Sequence, residues 1–215
     1  RFADLGIFLI PRDDMPYDRK AEVYLFSNGD IEKARGVYQE ALENIRPDIL
    51  INQRSYIEIL ARDYQKALDI EKARTGGFLR KADIYRYLGQ PEQAATYYDS
   101  ARVEQEELVR IDRDDYVAHS NLGIAYAGLG RREEAIREGK LAVEILPLSR
   151  DAYYGPHFIL DLARIYAMLG EQDAAVDQLE LLLSIPSEIT VPLLRLDPVW
   201  DPLREHPRFQ ALMAG

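Results

Sequence analysis

Three kinds of residue in this chain could in principle do chemistry: histidines, paired carboxylates and glycine turns. His119, His157 and His206 are far apart, with no HxxxH or HExxH spacing, and there is no cysteine to complete a ligand set. Metal binding is not expected. The adjacent acids Asp13-Asp14, Asp114-Asp115 and Glu133-Glu134 would serve a hydrolase only if two of them converged in a cleft. They lie instead near turns and first helical turns, where carboxylates complement the helix dipole and cap free N–H groups. No GxGxxG, GxxxxGK[ST] or GxSxG occurs, and Gly76-Gly77 reads as a helix breaker. No Asn-x-Ser/Thr is present either. The residues give no catalytic set, no cofactor and no metal, so the chain reads as a non-enzyme.

Composition narrows the partners. The 215 residues are 47% apolar and carry 37 acids against 27 Lys and Arg, a formal charge of −10. Such a surface repels phosphate backbones, which argues against nucleic acid. No apolar run approaches the roughly 18 residues of a membrane span. The first ten residues lack the pattern of a signal peptide. A cytoplasmic protein is expected, with an exported form left open because the chain begins at Arg1 rather than Met.

The elements that would position any site repeat along the chain. Arg19-Lys20-Ala21-Glu22-Val23-Tyr24 recurs as Arg80-Lys81-Ala82-Asp83-Ile84-Tyr85, each copy followed by a glycine turn and a second helix opening with acids. In residues 116–149, Leu122, Gly123, Tyr126, Gly130, Ala135, Ala142 and Pro147 occupy positions 7, 8, 11, 15, 20, 27 and 32 of a 34-residue unit. Small residues at 8, 20 and 27 allow two antiparallel helices to approach, the glycine closes helix A, and the proline stops helix B.

This pattern resembles the tetratricopeptide repeat. The resemblance implies an all-α, right-handed α-α superhelix, a solenoid that binds protein or peptide. The same register places Ala82, Tyr85, Gly89, Ala94, Tyr98 and Ala101 in a unit at 75–108, and Leu162, Ala163, Tyr166, Gly170 and Ala175 in one at 156–187. A unit at 14–48 keeps Ala21, Tyr24, Gly29, Ala34, Tyr38 and Ala41. Residues 49–74 are degenerate, with Arg62 where the turn glycine belongs. Most of the 14 tyrosines fall on packing positions and are assigned to the core.

Three departures from the pattern stand out. Gly139 sits at position 24, where a large residue is usual, so the helix B core there is expected to be looser. The second helix of the third unit runs from Pro91 to about Ile111 without a breaker. Arg150 to Gly155 are inserted before Pro156, which suits a helix start. Residues 188–215 lose the register, yet Leu193, Leu194, Trp200, Leu203 and Phe209 are too apolar to be solvated, so this tail is expected to cap the solenoid. The tail and the order of units are similar to the C-terminal repeat region of large bacterial regulatory proteins.

The resemblance also implies which residues line a concave face: Glu22, Phe26, Asp83, Arg86, Tyr87, Ile124, Arg164 and Met168, with Asn121 placed to bond a peptide backbone and His157 near the groove. The basic clamp by which some members of the family hold a terminal carboxylate needs Lys at position 5 and Asn at position 9, and neither appears in units 75–108, 116–149 or 156–187. At the N-terminal end, residues 2–10 followed by Pro11 read as the closing half of a helix B. The thirteen residues from Pro11 to Tyr24 fit the register. Phe2, Leu5, Phe8 and Leu9 would then lack a neighbour on one side. Either an upstream segment covers them or another copy does, which would build a homo-oligomer or filament.

Overall fold

The computed structural model describes residues 2–214, and its regular elements are all helical. It divides into two compact units, Arg1–Gly77 with Val191–Pro198, and Phe78–Thr190 with Val199–Gly215. Gly76 and Gly77, both at positive φ (79° and 63°), end the first stretch.

The first unit contains α1 (Phe2–Leu9), α2 (Met15–Asn28), α3 (Ile31–Ala41), α4 (Ile51–Leu60), α5 (Tyr64–Glu71) and α12 (Val191–Leu196). Helices α2 and α3 form one antiparallel pair and α4 and α5 another, while α1 and α12 lean on α2. Each pair is made by short local signals. The carboxylates of Asp30 and Asp63 accept the N–H groups of Lys33 (3.0 Å) and Lys66 (3.1 Å) at the starts of α3 and α5. Ala21, Ala34, Ala41 and Ala67 are fully buried where the helices meet. The turn between α4 and α5 keeps the left-handed conformation without a glycine, since Arg62 has φ 62°.

The second unit holds α6 (Phe78–Tyr87), α7 (Pro91–Ile111), α8 (Tyr116–Gly128), α9 (Arg132–Ile145), α10 (Gly155–Met168), α11 (Gln172–Leu183), a 3-10 segment (Pro198–Leu203, shared with the first unit) and α13 (Pro207–Ala214). Successive pairs α6/α7, α8/α9 and α10/α11 stack on one another. Asp115 caps α8 through the N–H of Ala118 at 2.9 Å. Each α6/α8/α10 type helix is followed by a left-handed glycine, Gly89, Gly130 or Gly170. Signature alanines 82, 101, 135, 142, 163 and 175 are fully buried. Tyr98 lies against Gly128 so closely that a Cβ there would clash with its ring. Among the described residues no helix is long and apolar enough to cross a membrane.

Two expectations are revised by the packing. The core beside Gly139 is not loose, because Ile165 and Leu162 of α10 occupy the space: a Cβ on Gly139 would meet them at 2.6 and 3.1 Å. The tail after residue 187 does not act as one piece. Residues 191–198 join the first unit, where Leu196 meets Gly29 and Tyr56 donates to Asp197 at 3.0 Å. The remainder packs on α11: Trp200, Leu203 and Phe209 are buried, and Arg208 bonds Asp177 (2.7 Å) and Glu180 (2.6 Å).

Candidate functional site

The first helices of the three stacked pairs, α6, α8 and α10, carry Asp83, Arg86 and Tyr87, then Asn121 and Ile124, then His157, Arg164 and Met168. The central feature is Asp83, only 5% exposed. Tyr98 of α7 donates its O–H to one carboxylate oxygen at 2.6 Å, and Arg164 of α10 donates to the other. Arg86 stands 3.7 Å away and also donates to the Tyr98 oxygen at 3.3 Å. Burial alone would raise the Asp83 pKa, but Arg164 and Arg86 overcome it and hold the carboxyl below its usual range. Burial beside that anion pushes the Tyr98 phenol well up. A carboxylate held down and a phenol pushed up do not exchange protons near neutrality, so this network positions its members and is unsuited to acid–base catalysis.

Around the network the face stays partly open. Arg86 lies over the Tyr87 ring at 4.6 Å. Met168 is half-buried between the clusters centred on Tyr98 and Ile165. His157 is half exposed, with Nδ1 3.2 Å from Glu188 and Nε2 3.7 Å from Asp161. Asp161 in turn accepts the hydroxyl of Ser120 at 2.7 Å.

Not every residue expected on this face is available there. Ile124 is only 2% exposed and belongs to the cluster of Leu122, Tyr126 and Ile165. The reason is that α8 has packed helices on both sides, which leaves little of it uncovered. Asp83 is consumed by its donors. Asn121 turns toward α7, where it makes a long 3.5 Å bond to Gln105. Glu22 and Phe26 lie on α2 of the first unit, Glu22 bonded to Arg19 at 2.7 Å and Phe26 half-buried. Sequence reasoning missed Asp161, Ser120, Tyr98 and Glu188 as partners of the residues expected on this face or of one another. Asp161 was within reach, being one helical turn from both His157 and Arg164. Glu188 carried no signal, since it comes from irregular chain after α11.

Residues 77–101, 116–138 and 156–180 match models of the tetratricopeptide repeat. These three stretches, all but Gly77 in the second unit, carry tetratricopeptide repeats. Among solved structures, it is similar to the crystal structure of YrrB, described as a TPR protein with an unusual peptide-binding site. The identity is 19% and the TM-score 0.41, with 86% of this chain and 92% of that one covered. No curated protein matches the chain.

Proposed function

We propose that the face formed by α6, α8 and α10 binds a polypeptide and that the chain serves as a protein-interaction scaffold. The reading is supported by the tetratricopeptide repeats and, above all, by one observation: Tyr87, Arg86 and Met168 are only partly covered beside the charge-paired network around the buried Asp83. An aromatic ring and a thioether next to fixed guanidinium groups suit an extended or helical peptide carrying both apolar and acidic side chains. A peptide-display selection against the intact chain tests this. Tyr87→Ala and His157→Ala should weaken the selected peptides while thermal stability changes little. Arg86 is a poorer probe, because it also bonds Tyr98. Binding lost only through changes on the outward face of α7, such as Glu107→Arg, would refute the reading.

A second reading, self-association into an oligomer or filament, is favoured by α1. None of its residues is buried, and Phe2, Leu5, Phe8 and Leu9 are exposed by 90, 54, 80 and 65%. Light scattering at rising concentration should show mass growth that Phe8→Asp abolishes. A strictly monomeric chain would sink it.

A further inference from the structure

The first unit contains a partly open cavity of about 60 Å³ to which three helices each present one face. Arg35 and Tyr38 come from α3, Arg54, Ile57 and Glu58 from α4, and Lys66 from α5. A single water needs about 10–15 Å³ on this measure, so the space suits a group of several heavy atoms.

The charges around it do not balance. Glu58, 3% exposed, is the one acid in the wall. It is bonded by Arg35 through Nη2 (2.8 Å) and Nε (3.1 Å), and by Lys66 at 2.8 Å. Burial alone would raise its pKa, yet these bonds hold it below the usual range, so the carboxylate stays charged. Arg35 turns its remaining Nη1 outward to Glu32. Lys66 keeps N–H donors beyond the one that Glu58 takes. Among the described residues no ion pair or hydrogen bond engages the guanidinium of Arg54. Three cations against one carboxylate leave the wall with two positive charges, in a chain whose formal charge is −10.

We propose that this cavity is an oxyanion site for a phosphate group, presented either as free phosphate or as a phosphorylated side chain. A phosphate monoester carries about −1.5 to −2 charge at neutral pH, which matches the surplus, and its oxygens suit the forked donors of an arginine. The site is built from first-unit residues and the face formed by α6, α8 and α10 from second-unit residues, so its test does not depend on the peptide-binding reading.

The test is titration of the full chain with inorganic phosphate, against chloride at matched ionic strength, followed by calorimetry and backbone NMR. A phosphoserine peptide forms a second arm. Saturable phosphate binding with shifts confined to α3, α4 and α5 is expected, and Arg54→Gln should weaken it at least about tenfold. Because no ion pair or hydrogen bond among the described residues engages the Arg54 guanidinium, that variant should keep its helical spectrum. Lys66→Gln provides a second variant with the same expected direction. A phosphoserine peptide that binds as well as free phosphate assigns the group to a modified polypeptide, and one that does not assigns it to the free ion. Phosphate and chloride acting alike, or Arg54→Gln binding as the parent does, would overturn the proposal.

Discussion

Ile165 of α10 fills the space that a side chain on Gly139 of α9 would need. Its Cδ1 lies 2.6 Å from where that Cβ would be, and 2.7 Å from the equivalent point on Gly123 of α8. Three helices therefore meet around one fully buried isoleucine, and the two glycines are what let them close.

The first prediction concerns that contact. At Gly123 a methyl group would also press on the backbone of Gly139 and Ala135 at 3.0 and 3.1 Å, atoms that cannot swing aside. Alanine gains about 0.5–1 kcal/mol of helix propensity over glycine. Overpacking costs about 1–3 kcal/mol, so Gly123→Ala should be net destabilising in chemical denaturation. Gly36 has nothing within 4 Å of its would-be Cβ, and Gly36→Ala should stabilise. Equal effects at the two sites would contradict the packing argument.

Arg62 adopts φ 62° in the turn where Gly89, Gly130 and Gly170 stand in the other pairs. A side chain in this conformation costs about 1–2 kcal/mol. Replacing it by glycine relieves that strain, at some entropic cost in the unfolded chain. Arg62→Gly should therefore raise stability by about 0.5–1 kcal/mol, read as a higher denaturation midpoint at unchanged slope. Arg62→Ala, which keeps a Cβ, should not.

Removal of a single hydroxyl tests the Asp83 network. Tyr98→Phe leaves the ring packed on Gly128 but takes one donor from a buried carboxylate, which should cost about 1.5–3 kcal/mol. Tyr126 makes a bond of similar length, 2.7 Å, to Glu106, a carboxylate 40% exposed. Water can replace that donor, so Tyr126→Phe should cost clearly less. If the two variants unfold together, burial of Asp83 does not govern the penalty.

The pH dependence of stability has a defined sign at His157. Its pKa is pushed up to about 9 by the hydrogen bond to Glu188, against burial and with help from Asp161. Since the folded value exceeds the unfolded one of about 6.5, the stabilisation is complete below that pH and is lost as the pH rises through about 9. The imidazole is half exposed, so screening keeps the effect below about 1 kcal/mol. The same bond lowers the Glu188 carboxyl, whose share is instead lost on acidification. Thermal melts across the alkaline window should fall in the parent protein, and Glu188→Gln should flatten most of that decline.

Much of the fold was legible in the chain. The helix pairs, the left-handed glycines after α6, α8 and α10, the caps at Asp30, Asp63 and Asp115, and the buried alanines all follow from the type and spacing of neighbouring residues. The site was legible only as a helix face. That Asp83 would meet Arg164, eighty-one residues later, could not be read. Nor could the burial of Ile124, the filling of Gly139 by Ile165, or the division of the tail between two units. Helical periodicity determined which side of each helix a residue occupies, because that depends on a rotation of about 100° per residue and on nothing else. What fills the space on that side depends on how closely and at what angle the next helix packs, and only the tertiary structure decided that.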